Sequence, residues 1–134
     1  MNRLHALIFD VDGTLAETER DGHRPAFNAA FADSGLDWHW DETLYGELLA
    51  VTGGKQRIRF FVERHVPDLL ARPGFPELVQ RLHLAKTAHY VRIVEQGALP
   101  LRPGAARLLH EGRQAVLRLA LATTTSPDTV DALL

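Results

Sequence analysis

Two short apolar runs in this sequence have the length and the boundaries of buried β-strands. Residues 4–9 form a continuous apolar run that stops at the turn-forming sequence Asp10-Val11-Asp12-Gly13. Residues 117–122 form a second run, which ends in three threonines. The pattern therefore predicts one strand near each end of the chain.

Between and after these runs, apolar residues recur at helical spacing. Ser126-Pro127-Asp128 also predicts a helix start, because serine caps and proline fits the first turn. Ala115-Val116 stands before the second strand, where a helix-ending glycine is expected. Helices are predicted over residues 19–31, 41–50, 56–65, 77–96 and 105–113, with loops at residues 52–55 and around Pro67, Pro73 and Pro76.

Strands that are separated by helices predict a parallel sheet in an α/β fold. The helical block between the two strands is too long for a simple crossover, so it is interpreted as an inserted lobe. We expect a discontinuous core formed by residues 1–16 and 99–134, and a helical cap formed by residues 17–98.

Composition narrows the function classes. The 134 residues are 46% hydrophobic and 24% charged, with a formal net charge of −2, so no basic excess indicates nucleic-acid binding. The absence of cysteine excludes disulfides, thiolate catalysis and cysteine-ligated metals. The first apolar run is too short for a signal peptide or a membrane span, so a cytoplasmic location is expected.

The strongest chemical signal is Asp10-Val11-Asp12-Gly13-Thr14 at the end of the first run. Side chains two positions apart in an extended segment point the same way, so Asp10 and Asp12 are expected to face one site. One carboxylate can attack while the other exchanges a proton, and Mg²⁺ would offset their repulsion of a phosphate. An EF-hand fits poorly, because its third acidic position falls on Thr14.

Two further segments suggest phosphate binding. Thr123 and Thr124 follow the second strand and precede a helix N-terminus, where hydroxyls and free amides bind anions. Residues 52–57 combine Gly53 and Gly54 with Lys55 and Arg57, but they do not form a Walker A loop. That segment is either a solvated helix–helix loop or a surface that grips a phosphate or sugar.

At these residues the sequence resembles the haloacid-dehalogenase superfamily, and more narrowly its CbbY-type phosphatases, which act on xylulose-1,5-bisphosphate. The matching segments are residues 9–15, 15–19, 52–55 and 120–126. The resemblance implies a Rossmann-like parallel-sheet core with a helical cap, Mg²⁺ as cofactor and a small sugar phosphate as partner. It also implies a full-length monomer that does not engage nucleic acid or membranes.

The resemblance also implies roles for individual residues. Asp10 would be the nucleophile that forms an aspartyl-phosphate, and Asp12 the general acid and base, with both at the metal. Thr14, Thr123 and Thr124 would hold the transferring phosphoryl group. The implied substrate contacts are Glu17, His23, Gly53, Gly54, Lys55, Arg57 and Lys86. Without the resemblance, His23 and Lys86 are ordinary helix residues.

The family pattern also includes a lysine, a later acidic pair and further strands, none of which lies within residues 1–134. On this comparison we expect the chain alone to bind magnesium poorly, to turn over slowly or not at all, and to expose an aggregation-prone sheet edge. Two alternatives stay open: a β-phosphoglucomutase-like phosphotransferase, and an inactive fragment that serves as a binding module.

Overall fold

A computed structural model describes residues 3–134. Its sheet consists of β1 (Ala6–Phe9) and β2 (Arg118–Leu121), which pair in parallel with Ala6 opposite Arg118 and Phe9 opposite Leu121. The predicted parallel α/β arrangement is confirmed. Because parallel strands end at the same edge of the sheet, the turns after β1 and β2 are neighbours, and the Ala122 amide donates to the Phe9 carbonyl at 2.8 Å.

Helices make up most of the rest of the described chain. They are a π-helical turn Glu19–His23, α1 (Arg24–Asp33), α2 (Glu42–Leu48), α3 (Gly54–His65), a 3₁₀ turn Pro67–Ala71, α4 (Phe75–Glu95), α5 (Pro103–Gln114) and α6 (Pro127–Leu133). None of the described helices is long and apolar enough to cross a membrane.

Three helices begin two residues earlier than the sequence predicts: α3 at Gly54, α4 at Phe75 and α5 at Pro103. A glycine with positive φ precedes α3 and α4, 95° at Gly53 and 88° at Gly74, so the chain turns directly into these two helices. Pro76, predicted in a loop, therefore lies in the first turn of α4.

The main core lies among the helices that follow β1. Phe27 and Phe31 of α1 pack against Trp40, with ring centroids 4.8 Å apart in both pairs. Asn28 holds the same segment by accepting from the Trp40 amide at 2.8 Å and donating to its carbonyl at 2.9 Å. Phe61 belongs to the same buried cluster, and Trp38 and Phe60 pack against it.

The two-stranded sheet is less well covered. Ile8 of β1 is 70% exposed and Leu121 of β2 is 38% exposed. Within residues 3–134 no third strand joins this sheet, so each strand has one unpaired edge. The open sheet edge expected from the sequence is present in the structure.

Helix α5 ends in a Schellman motif. The Leu117 amide donates to the Gly112 carbonyl at 3.0 Å, and the Val116 amide donates to the Arg113 carbonyl at 3.1 Å. Val116 occupies the left-handed position of this motif with φ 60° and is 89% exposed. The missing helix-ending glycine noted in the sequence therefore leaves a β-branched residue in a conformation that glycine prefers.

Candidate functional site

The turn after β1 is fixed by its apolar residues. Val11, Leu15 and Ala16 are buried, and the Val11 carbonyl accepts from the Leu15 amide at 3.0 Å. Gly13 has φ 71° and donates its amide to the Ala16 carbonyl at 2.9 Å. Because the buried residues anchor the turn, its polar positions are left at the surface and in the adjoining cavities.

The Asp12 carboxylate receives two hydrogen bonds on Oδ1. The buried Thr18 hydroxyl donates at 2.6 Å, and Nε2 of His23 lies at 3.1 Å. Burial by itself would raise the pKa of Asp12, but the hydrogen bonds from His23 and Thr18 and the positive charge of Lys86 outweigh it. The pKa of this carboxyl is therefore lower than its ordinary value, and Asp12 is ionised at neutral pH.

His23 ends the π-helical turn, a feature that is common at functional sites. Its ring stacks on Tyr90 with centroids 4.1 Å apart and an interplanar angle of 8°. Burial lowers the pKa of His23 despite the bond to Asp12, so the imidazole is neutral at pH 7. Because a carboxylate only accepts, Nε2 of the neutral ring carries the proton that it donates to Asp12.

Lys86 of α4 is buried, with 9% of its surface exposed. Its Nζ lies 5.0 Å from the ring centroid of Phe27 and 5.6 Å from that of Tyr90. Burial is the main reason that the pKa of Lys86 falls to about 8, although the negative charges of Glu19 and Asp12 oppose this. A solvated lysine, the ordinary expectation for this position, is not what the structure shows.

A cavity of about 330 Å³ connects these groups with the start of α3. The first amides of α3 have no partner inside the helix, so they favour an anion. Gly54 lies against His83 of α4, since a Cβ at that position would be 2.7 Å from Cδ2 of His83. The cavity is lined by Asp12, Glu19, His23, Gly53, Gly54, Lys55, Gln56, Arg57, His83, Lys86, Thr87, Thr124, Thr125, Ser126 and Thr129.

Arg57 borders this cavity, but its guanidinium is largely engaged by the protein. It donates to the Leu48 carbonyl at 3.3 Å, to the Val51 carbonyl at 3.0 Å and to the Tyr45 hydroxyl at 3.1 Å. Tyr45 in turn donates to Oε2 of Glu19 at 2.5 Å. These bonds join α2 and α3 to the π-helical turn, and they place the Glu19 carboxylate in the cavity.

A second cavity, of about 430 Å³, is lined by the Asp12 turn and by residues of α2, and Asp12 and Glu19 border both cavities. Glu17 lines this second cavity and forms an ion pair with Arg102. Arg102 also donates through Nη2 to the Gly13 carbonyl at 3.0 Å, and its amide donates to the Leu15 carbonyl at 2.8 Å.

The structure gathers most, but not all, of the residues selected from the sequence. Eight of them line the 330 Å³ cavity: Asp12, His23, Gly53, Gly54, Lys55, Arg57, Lys86 and Thr124. Asp10 is exposed, its Oδ1 accepts from the Val11 amide at 2.8 Å, and it does not line either cavity. Thr14 is exposed, Glu17 borders the second cavity, and Thr123 Oγ1 accepts from the Thr125 amide at 3.2 Å.

The residues at the site that the sequence analysis did not identify include Thr18, Glu19, His83 and Arg102. Thr18 and Glu19 lie within a few positions of Asp12 and within the matching segment 15–19, so the sequence carried a signal for both. For His83 and Arg102 the sequence carries no such signal, because their contacts depend on how distant segments pack.

Two groups of side chains bring possible metal ligands together. Asp12, Glu19 and His23 each place one ligand atom within 4.8 Å of the others. Hydrogen bonds from Thr18, His23 and Tyr45 already account for that cluster, and its nitrogen donor suits Mg²⁺ poorly. The exposed Asp10 carboxylate and the Asp12 turn offer the oxygen donors that Mg²⁺ prefers, so the donor chemistry there fits this ion.

The sequence matches a known protein family. The family model for haloacid dehalogenase-like hydrolases matches residues 4–134. The chain belongs to this family. The resemblance noted from the Asp10–Thr14 motif is thereby confirmed.

Curated proteins named CbbY or CBBY-like are similar to this chain. The CbbY protein of Cupriavidus necator is 53% identical over 131 residues, which are 98% of this chain and 51% of that protein. A CBBY-like protein of Arabidopsis thaliana is 37% identical over 134 residues, 96% of this chain and 41% of that protein. The chain thus spans about half the length of the curated relatives that it matches.

Solved structures of CbbY from Rhodobacter sphaeroides have the same fold. One, in complex with phosphate, gives a TM-score of 0.81 at 47% identity. Another, the D10N mutant in complex with xylulose-(1,5)bisphosphate, gives 0.84 at 46% identity. Each comparison covers 98% of this chain and 56% of the solved chain.

Proposed function

We propose that the protein is a magnesium-dependent phosphatase of a small sugar bisphosphate, similar to xylulose-1,5-bisphosphate, and that it acts through an aspartyl-phosphate. The observation that carries the proposal is the 330 Å³ cavity, which combines the Asp12 carboxylate with the start of α3 and with Lys86. Its volume lies in the range of small-molecule sites, roughly 300–1,000 Å³. The D10N complex of a CbbY protein with a sugar bisphosphate supports this substrate class.

Different residues of the cavity wall suit different parts of the substrate. Asp12 and Thr124 lie where the carboxyl ends of the strands meet, which suits the phosphoryl group that is transferred. The amide end of α3, Lys55 and Lys86 supply positive charge for the remaining phosphate or for the sugar. A substrate with two anionic groups joined by a short polar chain matches this distribution of charge.

In the first chemical step, an Asp10 carboxylate oxygen attacks phosphorus and the bond to the sugar oxygen breaks. Asp12 gives its proton to the departing sugar oxygen. Although Asp12 is ionised in the free protein, an arriving phosphate dianion repels its carboxylate and raises its pKa, so that it can take up this proton. Thr18 and His23 both bind Oδ1, which leaves Oδ2 to face the sugar oxygen.

In the second step, Asp12 removes a proton from water, and the resulting hydroxide attacks the phosphorus of the aspartyl-phosphate. This releases phosphate and restores the Asp10 carboxylate. Magnesium, held by Asp10 and by oxygens of the Asp12 turn, would reduce the repulsion between the carboxylates and the phosphate. We assign binding of the phosphoryl oxygens to Thr14, Thr123 and Thr124. The helical lobe would exclude water from the site during transfer.

The proposal is tested by measuring phosphate release from xylulose-1,5-bisphosphate by the protein expressed from its complete reading frame, with Mg²⁺ and with EDTA. We expect Mg²⁺-dependent release that Asp10→Asn abolishes without altering the circular dichroism spectrum. The matched control is Asp21→Asn, since Asp21 is an exposed aspartate paired with Arg20. Activity that survives Asp10→Asn would overturn the mechanism, and transfer of phosphate to a sugar instead of water would identify a phosphotransferase.

A further inference from the structure

Arg102 makes three contacts to the turn that carries the two aspartates. Its amide donates to the Leu15 carbonyl at 2.8 Å, its Nη2 donates to the Gly13 carbonyl at 3.0 Å, and the same nitrogen pairs with Glu17. Within residues 3–134, Arg102 supplies the hydrogen-bond donors to both of these carbonyls. One residue therefore holds two main-chain carbonyls of the turn, those on either side of Thr14.

The hydrogen bonds within the turn do not engage the carbonyls of Gly13 and Leu15. Amides of the turn donate to the carbonyls of Val11 and Ala16, which closes the turn but does not orient the carbonyls of Gly13 and Leu15. Arg102 comes from the extended segment before α5, 89 positions after Gly13. Arg102 thus joins the segment that precedes the helices following β1 to the segment that comes after them.

Stability alone does not explain this arrangement. The side chains of Arg102 and Glu17 are 45% and 40% exposed, and ion pairs at such positions contribute little to folding. Instead, the single nitrogen Nη2 meets both the Gly13 carbonyl and Glu17, and the planar guanidinium holds that nitrogen in a fixed direction. This geometry suits the orientation of a turn better than it suits the stabilisation of a core.

We propose that Arg102 is a positioning residue, which holds the Asp10–Glu17 turn so that its two aspartates are aimed at the phosphorus of the substrate. Arg102 does not touch the reacting atoms, and it acts through the carbonyls of Gly13 and Leu15. The proposal rests on the phosphatase function proposed above. Small displacements of catalytic groups can lower rates by about 10²-fold, so the effect is expected on kcat.

The test compares Arg102→Ala and Arg102→Lys in the protein expressed from its complete reading frame, with p-nitrophenyl phosphate as substrate. This ester has no sugar, so its turnover reports on the aspartate turn and not on sugar recognition. For Arg102→Ala we expect kcat to fall about 10- to 100-fold with KM changed less than about threefold. Arg102→Lys keeps the charge but loses the planar fork, so its kcat should lie between those of Arg102→Ala and wild type.

Two additional readouts separate positioning from a general loss of structure. Added guanidinium ion should partly restore kcat of Arg102→Ala, and methylammonium should restore it to a smaller extent. Hydrogen exchange should become faster at the amides of residues 11–18. The matched control is Arg107→Ala, which removes an exposed arginine of α5 that pairs with Glu111; it should leave kcat and exchange unchanged.

Two results would overturn the inference. One is unchanged exchange in residues 11–18 of Arg102→Ala, which can be measured even if the protein lacks phosphatase activity. The other is wild-type kcat in that variant, or a loss of kcat that appears only together with unfolding and is not rescued by guanidinium. Failure of the proposed function is recognised separately, as a wild-type protein without Asp10-dependent activity.

Discussion

Replacing Lys86 by methionine should stabilise the fold and weaken the proposed substrate site. Lys86 is buried between the rings of Phe27 and Tyr90, on the wall of the cavity that holds Asp12. Methionine has a similar length and can fill the same space without a charge. The substitution therefore removes the cost of a buried ammonium group while it keeps the packing.

The magnitude follows from the pKa and from the two rings. Burial lowers the pKa of Lys86 from 10.5 to about 8, which at about 1.4 kcal/mol per pH unit corresponds to about 3 kcal/mol. The ring contacts of the ammonium group offset roughly 1–2 kcal/mol of this cost. We therefore expect Lys86→Met to raise the free energy of unfolding at pH 7 by about 1–2 kcal/mol.

The pH dependence has a defined sign. Between about pH 8 and 10.5 the unfolded chain keeps a proton on Lys86 that the folded protein has already lost. The contribution of Lys86 to stability therefore rises with pH across this window, and its cost is fully present below about pH 8. Lys86→Met lacks this term, so the difference between the variant and the wild type should shrink as pH rises from 8 to 10.5.

The assay is urea denaturation followed by circular dichroism at pH 7 and pH 10. Lys55→Met is the matched control, because Lys55 lines the same cavity but is exposed, and its effect should stay within about 0.5 kcal/mol. In the phosphatase assay, Lys86→Met should raise KM for the sugar bisphosphate about tenfold or more. A variant that is less stable than the wild type at pH 7 would refute the reasoning.

Three more substitutions test individual features. Val116→Gly should raise the free energy of unfolding by about 1 kcal/mol, because it relieves a positive φ at an exposed position, and thermal melting measures this. Gly54→Ala should lower kcat/KM for the sugar bisphosphate about tenfold, because the new methyl group meets His83 beside the amide end of α3. Thr18→Val should cost about 1–3 kcal/mol and raise the pKa of Asp12, measurable by urea denaturation and by NMR titration.

Each of these has a control or a contradicting result. Ala115→Gly replaces a residue with φ −78° and should destabilise the protein by about 0.5–1 kcal/mol, opposite in sign to Val116→Gly. Equal effects at both positions would mean that φ does not determine the result. Wild-type kcat/KM in Gly54→Ala would place the substrate away from α3. An unchanged Asp12 titration in Thr18→Val would leave His23 as the dominant partner.

Features that depend on neighbouring residues could be predicted from the sequence. The Ser126 cap is present, with its side chain accepting from the Thr129 amide, and Pro127 stands in the first turn of α6. The unusual Val116 was recognisable because the sequence lacks a glycine at a helix end. The sequence predicts the start of α3 two residues late, because its pattern places Gly54 and Lys55 in a loop, whereas both are helical. A glycine pair is compatible with either conformation, and the positive φ of Gly53 decides it.

By itself, the sequence determined the two strands, their polar ends and the family to which the chain belongs, because these depend on residues adjacent along the chain. Only the tertiary structure decided that Lys86 is buried, that Arg57 is held by main-chain carbonyls, and that Arg102 reaches a turn 89 positions earlier. A lysine or arginine on an amphipathic helix has the same sequence pattern whether it meets water or another helix. The pairing of distant helices determines which of these occurs, and with it the electrostatics of the site.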